Sequence, residues 1–468
     1  MAAPVISVEQ MRKWENASWT DGRNKASVIE CVGKIVAERA LELTQSGDVI
    51  LILAGKGHNG DDARAALPHL QERRIIFLDV TQPQLALERY LNAGCGNPKP
   101  KLILDGLFGI GLNRPLDEAW QRFITAVNES RIPVLAVDVP SGIDADTGEI
   151  RGASIQATIT LTLAAPKRGL LLPSAIPFVG RLEVAPEIGL APCPYSSDLN
   201  WTCADDFRNF PPARNVSSHK GTFGHVAIVA GSLGYHGAAV LAARGALRAQ
   251  TGLVSVFTLE NVYVPVASQL QAAMVHPWRS ARDLPETCSA ILFGPGLAAT
   301  ELPATLKKEM IKTWEQSLMP IIADASALDW LPSVKDFPNA VRVITPHPGE
   351  AARMLYTSID AVQADRIAAL RKLSVRYGNC IVVLKGHQTL VGRSHGEVFI
   401  NSTGNPFLAQ GGSGDVLAGY ISGLLAQPAL QSDPLKTIRY AVWRHGAAAD
   451  KLCKDRANWT IENLLDVI

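Results

Sequence analysis

The sequence has little that would anchor the chain in a membrane, cross-link it or attract it to a polyanion. No apolar run approaches the roughly 18 residues of a membrane-spanning helix, and residues 1–14 lack the apolar core of a signal peptide. The seven cysteines are scattered without a CxxC pair, which argues against a zinc site or a disulfide framework. With 45 basic and 44 acidic side chains, the net charge is +1, so nucleic-acid binding is not expected. These absences predict a cytoplasmic protein without nucleic-acid or membrane partners.

The composition and the hydrophobic pattern indicate an α/β protein. The chain has 468 residues, of which 47% are hydrophobic and 19% are charged, so it can bury more than one core. Aliphatic, β-branched runs alternate with amphipathic segments, which is typical of parallel sheets covered by helices. The predicted strands are 49–54, 75–79, 102–105, 134–139, 155–163, 226–230, 254–258, 290–293, 321–324, 341–345 and 381–385. The predicted helices are 28–43, 85–91, 116–128, 238–249, 302–315, 351–355, 361–376, 415–426 and 434–453.

A stretch rich in proline and small polar residues interrupts this alternation near the middle of the chain. Residues 187–205 show no sustained period, so they are interpreted as a linker. The sequence therefore predicts two domains, 1–195 and 205–468.

Three predicted strands of the first half end in polar or glycine-rich loops. One strand runs into a GxGxxG loop at 55–60, the next ends at Asp105, and a third ends with Asp138, followed by Ser141. Ligands of open α/β sheets bind beyond the carboxyl ends of strands, where helix N-termini offer N–H groups to anions. The pattern predicts a Rossmann-like, three-layer domain with a site for a phosphate-bearing ligand.

The first half resembles the epimerase domain of the NAD(P)H-hydrate repair enzymes across about residues 7–190. The matching segments are DGLFGIGLNRP at 105–115, VDVPSGIDADTG at 137–148 and APKRGL at 165–170. The resemblance implies interconversion of the R and S hydrates of NADH and NADPH, with Asp138 as the catalytic acid/base.

The same resemblance implies a potassium ion held by Asn59, Asp105 and Ser141. Carboxylate, amide and hydroxyl oxygens suit a hard cation, which can hold substrate phosphates near acidic side chains. Lys167, after the last strand of this half, can stabilise negative charge on the substrate. The residues implied to contact the hydrate are His58, Asn59, Gly60, Asp61, Asp62, Gly109, Ile110, Gly111, Leu112, Asn113, Arg114, Pro115 and Asp138.

The glycine loop departs from the GNNGGDG pattern of that family. His58 replaces an asparagine, Asp61 and Ala63 replace glycines, and Cys31 replaces the asparagine of an MENAG segment. An extra carboxylate repels a phosphate, and a Cβ at position 63 obstructs close approach of the backbone. Two hypotheses remain: an active epimerase, or a domain that keeps the fold and serves a structural or regulatory role.

The second half contains a more specific glycine-rich run, GGSGD at 411–415, preceded by GNP at 404–406. The apolar spacing that follows predicts a helix, so the glycine amides lie at a helix N-terminus, where they can stabilise a phosphate. Asp415 in the first turn can abstract or relay a proton. A glycine-rich helix cap without a ligand is the alternative interpretation.

Across about residues 205–466, the chain resembles the dehydratase domain of the same repair enzymes, which has a ribokinase-like α/β fold. The matching segments, in order, are HKGTFGHV at 219–226, GPG at 294–296, TPHPGE at 345–350, LKG at 384–386 and GNP…GGSGDVLAG at 404–419. The resemblance implies dehydration of the S hydrate coupled to conversion of ADP to AMP and phosphate. Asp415 would act as base and the amides of 412–414 as anion hole, with Mg²⁺ bound through phosphates and water.

This resemblance also implies a set of ligand contacts. The nucleotide contacts are Lys385, Gly386, His387, Gln388, Thr389 and Gly414. The hydrate contacts are Ala238, Gly296, His347 and Asp415. Ser326 is a departure, because the family often has an aspartate there that would add a nucleotide or metal contact.

Two other functions use the same motifs. A sugar or vitamin kinase with an inactive N-terminal binding domain is the alternative, because GxGD also serves ordinary phosphoryl transfer. A dehydrogenase built on the 55–60 loop and Asp79 leaves the second half unexplained. The expected partners are the hydrates NADHX and NADPHX, ADP and further copies of this chain. The preferences between ADP and ATP and between the two hydrates stay open.

Overall fold

The computed structural model describes residues 2–94, 98–300, 302–337 and 340–468. The chain divides into two compact units, Ala3–Ser197 and Asp198–Ile468. Of the seven cysteines, Cys95 lies outside the described residues, and the other six are free thiols.

The described residues of the first unit contain seven strands and six α-helices. Its strands are β1 (Ala3–Pro4), β2 (Val49–Ala54), β3 (Arg74–Asp79), β4 (Leu102–Gly106), β5 (Val134–Val137), β6 (Ile159–Leu163) and β7 (Arg181–Ala185). Its helices are α1 (Val8–Thr20), α2 (Lys25–Glu42), α3 (His58–Ala65), α4 (Pro83–Gly94), α5 (Glu118–Glu129) and α6 (Ile176–Val179).

Six of these strands form one parallel sheet in the order β3-β2-β4-β5-β6-β7. The chain moves outward from β2 to β3 and then crosses back to β4, so the strand order reverses between β2 and β4. At such a switch point the loops after the two strands diverge and leave a crevice at the carboxyl edge of the sheet. The loops that begin at Gly55 and Leu107 leave the sheet at this position.

Alternate side chains of the strands are buried on both faces of this sheet. Ile50 and Ile52 belong to a core with α1 and α2, whereas Leu51 and Leu53 belong to a core with α4 and α5. A strand that is buried on both sides reads as a continuous aliphatic run, as Val49–Ala54 does. The predicted three-layer α/β arrangement is therefore confirmed.

Two strand predictions in this unit are wrong at their ends. The strand predicted at 155–163 begins only at Ile159, because the N–H of Ile155 donates to the carbonyl of Ser141, in a loop. The strand predicted at 134–139 ends at Val137, because Asp138 has a left-handed backbone with φ of 64°. Helix α3 begins at His58, within the glycine-rich loop at 55–60.

The second unit contains ten strands and nine α-helices in its described residues. Its strands are β8 (Leu199–Trp201), β9 (His225–Val229), β10 (Leu253–Thr258), β11 (Met274–Pro277), β12 (Ala290–Phe293), β13 (Ile321–Ala323), β14 (Arg342–Ile344), β15 (Ile381–Leu384), β16 (Leu390–Gly392) and β17 (Val398–Ile400). Its helices are α7 (His236–Arg248), α8 (Tyr263–Ala267), α9 (Ala304–Gln316), α10 (Pro348–Leu355), α11 (Ile359–Ala364), α12 (Arg366–Arg376), α13 (Ser413–Leu425), α14 (Pro434–Asp455) and α15 (Ile461–Val467).

These ten strands lie in one sheet in the order β8-β17-β16-β15-β14-β13-β12-β9-β10-β11. The run from β15 to β11 is parallel, and β16 is antiparallel to both of its neighbours. The order reverses between β9 and β12, so a second crevice opens at the carboxyl ends of these strands.

Helices α7 and α13 pack unusually closely, backbone against backbone. A Cβ built on Gly419 would lie 1.9 Å from the carbonyl oxygen of Ala242, and one built on Gly245 would lie 2.3 Å from that of Val416. The two helices run in the same direction, because Gly412, just before α13, lies against Leu241, whereas Gly423, near the end of α13, lies against Ala249, just after α7. Their N-termini therefore lie at the same edge of the sheet.

One helix prediction in this unit is wrong. The helix predicted at 361–376 is two helices, α11 and α12, separated at Asp365, which has a φ of −143°. The side chain of Asp365 accepts a hydrogen bond from the N–H of Ala368 at 2.9 Å and so caps α12. Such a local side-chain bond competes with continuation of the preceding helix.

Candidate active sites

In the first unit, the three residues implied to hold potassium gather around the backbone of Phe108. Asn59 Nδ2 donates to the carbonyl of Phe108 at 3.0 Å, and the N–H of Phe108 donates to Ser141 Oγ at 2.8 Å. Asp105 accepts from the N–H of Ser141 at 2.8 Å and from its hydroxyl at 2.6 Å. Loops after β2, β4 and β5 thus meet through direct contacts.

The chemistry of this cluster fits a hard monovalent cation. Asp105 is fully buried, and burial raises its pKa to about 6 against hydrogen bonds from Ser141 and Leu107 that lower it. In the described part of the chain, no basic side chain forms an ion pair with Asp105. A buried carboxylate with neutral neighbours gains from a bound cation, and the donors here are carboxylate, hydroxyl, amide and carbonyl oxygens.

Asp138, the implied acid/base, is held against a buried lysine. Its Oδ1 accepts from Lys167 Nζ, from the N–H of Leu163 at 3.0 Å and from the hydroxyl of Thr162 at 3.2 Å. Lys167 is fully buried and also donates to the carbonyl of Leu163 at 2.8 Å. The left-handed backbone of Asp138 is costly for a residue with a Cβ, and such strain concentrates at functional sites.

A second buried carboxyl group lies in the electrostatic field of Asp138. Burial, followed by the charges of Asp138, Asp61 and Glu15, raises the pKa of Asp62 to about 8. Burial and Asp138 also raise the pKa of Glu15, which comes from α1. A protonated Asp62 beside a lysine-paired Asp138 gives one proton donor and one acceptor. Glu15 was missed, because nothing in the pattern of α1 distinguishes it from a solvated charge.

The glycines of the loop at 55–60 differ in their surroundings: Gly60 is closely packed against the backbone, whereas Gly57 borders open space. A Cβ on Gly60 would lie 2.0 Å from the carbonyl oxygen of Gly55, whereas one on Gly57 would meet nothing within 4 Å. The expectation that Ala63 obstructs this loop is wrong. Its side chain is fully buried, and a Cβ built on Gly106 would lie 2.5 Å from it, so Ala63 packs against β4.

The other departures in this loop form ion pairs and contacts on its exposed side. Asp61 pairs with Arg64 at 3.1 Å, and Arg64 also pairs with Asp79 at 2.5 Å. One guanidinium is therefore shared by two carboxylates, so the charge of Asp61 is only partly neutralised, and Asp79 is engaged within the protein. His58 Nε2 lies 3.0 Å from Lys25 Nζ. The loop at 109–115, implied to contact the hydrate, is exposed or half-buried.

In the second unit, α13 begins as the motif predicts. Gly412 precedes the helix with φ of 94°, and no side chain caps it. The N–H of Ser413 donates to the carbonyl of Gln410 at 3.3 Å, whereas no acceptor for the N–H groups of Gly412 and Gly414 exists among the described residues. Two of the three amides implied to form an anion hole are therefore open to a ligand.

Asp415 lies in the first turn of α13. Burial and the charges of Asp324 and Glu350 outweigh Lys385 and raise the pKa of Asp415 to about 7. A carboxyl group that titrates near neutrality is suited to general base catalysis, because it is both ionised and basic enough to take a proton.

Lys385 connects the ends of three neighbouring strands to this helix. Its Nζ lies 2.9 Å from Asp324 Oδ1 and 3.9 Å from Glu350 Oε2, and a Cβ on Gly414 would lie 3.2 Å from Nζ. Burial lowers the pKa of Lys385, but Asp324, Glu350 and Asp415 raise it further, so the ammonium stays charged. Three carboxyl groups face one ammonium, a surplus of negative charge that suits a metal-nucleotide complex.

His347 is fixed by a capping box at the start of α10. The ring Nδ1 of His347 accepts from the backbone N–H groups of Gly349 at 3.0 Å and Glu350 at 3.3 Å. The backbone N–H of His347 donates to Glu350 Oε2 at 2.8 Å. With Nδ1 accepting, a neutral ring carries its proton on Nε2, and about half of the side chain is exposed.

Gly296 and Ala238, both implied to contact the hydrate, lie together at the switch point between β9 and β12. Gly296 has φ of 64°, and a Cβ there would lie 2.9 Å from the Cβ of Ala238. The buried hydroxyl of Ser232 donates to the carbonyl of Gly296 at 2.6 Å. Gly294, two residues before Gly296, lies against the end of the neighbouring strand β13, because a Cβ there would lie 1.9 Å from the carbonyl oxygen of Asp324. Gly296 and Ala238 therefore lie near the group of carboxylates around Lys385.

Helix α14 holds residues 403–405, at the GNP segment before the glycine-rich run, through residues that no motif marks. Asp450 accepts from the N–H of Gly404 and from Asn405 Nδ2, both at 3.0 Å. Thr403 donates from its hydroxyl to the carbonyl of Trp443 at 2.7 Å. His445 of the same helix is also buried, and burial lowers its pKa to about 4.

No helix among the described residues combines the length and the apolarity needed to cross a bilayer. Those residues also contain no group of three or more His, Cys, Asp or Glu arranged to hold a metal ion.

The two crevices and their loops are those of an α/β enzyme with one candidate site at the start of α13 and a second candidate site in the Rossmann-like unit. A family model described as NAD(P)H-hydrate dehydratase matches residues 226–468, and one described as YjeF-related protein N-terminus matches residues 77–169. The chain belongs to the family of bifunctional NAD(P)H-hydrate repair enzymes, as the motifs predicted.

Relatives with the repair-enzyme name match most of the chain, and a solved structure matches the second unit. The bifunctional NAD(P)H-hydrate repair enzyme Nnr of Coxiella burnetii is 31% identical, covering 95% of this chain and 94% of its own. The enzyme of that name from Escherichia coli K12 is 34% identical, covering 86% and 80%. A ribokinase-like superfamily protein from Enterococcus faecalis V583 is 28% identical with a TM-score of 0.50, covering 58% of this chain and 94% of its own. The ribokinase-like fold predicted for the second unit is confirmed.

Proposed function

We propose that the second unit removes water from the S hydrate of NADH or NADPH, coupled to conversion of ADP to AMP and phosphate. The observation that carries this proposal is the meeting of Asp415, Lys385 and the open amides of Gly412 and Gly414 at one helix start. A base, a cation and an anion hole are the parts that phosphorylation of a hydroxyl group requires.

The proposed reaction proceeds through a phosphorylated hydrate. Asp415 takes the proton of the hydrate hydroxyl while the hydroxyl oxygen attacks the β-phosphorus of ADP. The bond from that phosphorus to the bridging oxygen breaks, and AMP leaves with that oxygen. Lys385 and the amides of Gly412 and Gly414 stabilise the negative charge on the phosphoryl group. Phosphate then leaves with the C–O bond electrons, and loss of a proton from the adjacent carbon restores the ring double bond.

The ligand contacts follow the proposed reaction. Lys385, Gly386, His387, Gln388, Thr389 and Gly414 bind the nucleotide. Ala238, Gly296 and His347 bind the hydrate beside Asp415. Magnesium bound to the nucleotide phosphates would neutralise part of their charge, and Asp324 and Glu350 offer carboxylate oxygens near it, directly or through water.

For the first unit, we propose interconversion of the R and S hydrates. Asp138, paired with Lys167, is the acid/base, and Asp62 is placed to exchange a second proton. Asn59, Asp105 and Ser141 would hold potassium, which supplies positive charge for the substrate phosphates. The loops at 57–62 and 109–115 would bind the hydrate. We also infer a cytoplasmic location, in keeping with six free thiols, and assembly with further copies of this chain.

Separate assays of the pure R and S hydrates with ADP or ATP test both activities. We expect recovery of absorbance at the reduced-nicotinamide band with the S hydrate and a nucleotide, and with the R hydrate only if the first unit is active. Asp415→Asn is expected to abolish recovery while the thermal unfolding midpoint stays unchanged. Absence of recovery by the wild-type protein, with phosphorylation of a sugar or vitamin instead, would favour the kinase hypothesis.

A further inference from the structure

The proposed nucleotide loop, Lys385–Thr389, has an unfavourable backbone. It follows β15, and two of its residues have left-handed conformations, Gly386 with φ of 128° and Gln388 with φ of 52°. Such a conformation is costly for glutamine, whose Cβ approaches the neighbouring carbonyl. Contacts outside the loop must therefore hold it in this shape.

One side chain supplies most of those contacts. Arg366, at the start of α12, donates from Nη1 to the carbonyls of His387 and Gln388 and from Nη2 to the carbonyls of Leu384 and Lys385. The Nη2 distances are 3.1 and 3.3 Å. A planar guanidinium has the number and the fixed directions of donors that such a set of acceptors needs.

The amides of this loop are open. In a planar peptide the C=O and the following N–H point in opposite directions, so carbonyls turned toward Arg366 turn N–H groups away from it. No acceptor for the N–H groups of Gly386, His387, Gln388 and Thr389 exists in the described ranges. Successive N–H groups in a loop with left-handed residues form a concave anion site.

Arg366 also brings an uncompensated positive charge to this loop. In the part of the chain that the structure describes, no carboxylate pairs with it, and burial lowers its pKa to about 10, still well above neutrality. Burial and then the charge of Arg366 lower the pKa of His387. The loop therefore lacks an anion, which a phosphate group would provide.

We propose that Arg366 is a positioning residue for the nucleotide: it binds the carbonyls of residues 384, 385, 387 and 388 so that the N–H groups on the opposite side of the loop form the anion site for a nucleoside diphosphate. This inference rests on the proposed nucleotide dependence of the second unit. Arg366 touches the loop and not the reacting atoms, so it acts on nucleotide affinity rather than on the base, Asp415.

The same helix offers a matched control. Arg371 donates to the carbonyls of Arg393 at 3.1 Å and Gly396 at 3.0 Å, in the turn between β16 and β17. Arg371 also forms an ion pair with Asp198 at 3.6 Å. Arg371→Gln thus removes a carbonyl-binding arginine, together with that ion pair, from a loop without an implied ligand contact. Arg366→Gln and Arg366→Lys remove the contacts of interest, and the lysine variant keeps the positive charge and the aliphatic stem.

The full-length variants are compared by titration calorimetry with ADP and Mg²⁺, by steady-state dehydration and by NMR titration of labelled His387. We expect Arg366→Gln to raise the Kd and KM for ADP at least about tenfold with kcat changed less than about threefold. Arg366→Lys is expected to fall between, and Arg371→Gln to match the wild type. The pKa of His387 is expected to rise in Arg366→Gln alone.

Two results would overturn the inference. One is an ADP affinity of Arg366→Gln equal to that of Arg371→Gln. The other is failure of both Arg366 variants to fold while Arg371→Gln folds, which would give Arg366 a role in stability alone. A wild-type protein that binds no ADP would instead contradict the proposed function itself.

Discussion

The raised pKa of Asp415 gives a quantitative expectation for the pH dependence of dehydration. Burial and two neighbouring carboxylates move this pKa from 3.8 to about 7. A base with a pKa near 7 is about 1% ionised at pH 5 and about half ionised at pH 7, so kcat is expected to rise about 50-fold between them. An ordinary aspartate, already about 94% ionised at pH 5, would give almost no change.

A second variant tests whether neighbouring charge sets this midpoint. Glu350→Gln removes one of the carboxylates that raise the pKa of Asp415 and keeps an oxygen that can accept from the N–H of His347. The acid limb of the kcat profile is therefore expected to move to lower pH in Glu350→Gln. Arg371→Gln, remote from the motif residues, is expected to keep the wild-type midpoint.

The assay follows conversion of the pure S hydrate to NADH chromatographically at saturating nucleotide between pH 5 and 9. Samples are quenched before chromatography, so the measured amount of NADH does not depend on following its absorbance during incubation at acid pH. A kcat that varies by less than about twofold from pH 5 to 8 would refute the assignment of a near-neutral base. The same conclusion would follow if Glu350→Gln moved the midpoint to higher pH, because removal of a negative neighbour must favour the carboxylate.

Further outcomes concern both units. Asp138→Asn is expected to stop interconversion of the hydrates without affecting dehydration of the pure S form, measured by chiral chromatography; unchanged interconversion would move the acid/base role elsewhere. Replacing potassium with tetramethylammonium is expected to slow interconversion only. Because burial raises the pKa of Asp62 to about 8, its stabilising contribution is complete below 3.8 and is lost as the pH rises to about 8. Asp62→Asn is thus expected to exceed the wild type in free energy of unfolding in urea, by a difference that grows by at most about 1.4 kcal/mol per pH unit across that interval. A difference that does not change with pH would contradict this. Asp450→Ala leaves the N–H of Gly404 and the amide of Asn405 without their acceptor and is expected to cost about 1–3 kcal/mol, measured the same way.

Much of both sites could be predicted from the sequence because aliphatic strands end abruptly in polar residues. Asp105 and Asp138 follow runs buried on both faces of a parallel sheet, so their positions at its carboxyl edge follow from the strand pattern. Lys385 and Asp324 terminate strands of the second sheet in the same manner. The order of strands across each sheet decides which of these ends become neighbours, and that order is not written in the local pattern.

The residues that sequence reasoning missed come from helices remote along the chain. Glu15, Arg366 and Asp450 each lie on a helix whose charged positions look solvated, because hydrophobic spacing reports burial against the core and not contact with a loop. The three-residue strands β16 and β17 were missed for a different reason. They are too short to show alternation, and they form by pairing with β15 and with each other.

The contact between α7 and α13 makes the geometry of the proposed active site depend on residues that are not proposed to contact a ligand. Gly419 and Gly245 have no room for a methyl group, so any larger side chain there would force the two helices apart. Separation would displace both helix starts, one beside Ala238 and the other at Asp415, in different directions. The spacing between Ala238, a proposed hydrate contact, and Asp415, the proposed base, thus depends on packing in the hydrophobic interior. Substitutions that disturb this packing are expected to reduce activity as loss of the proposed base would.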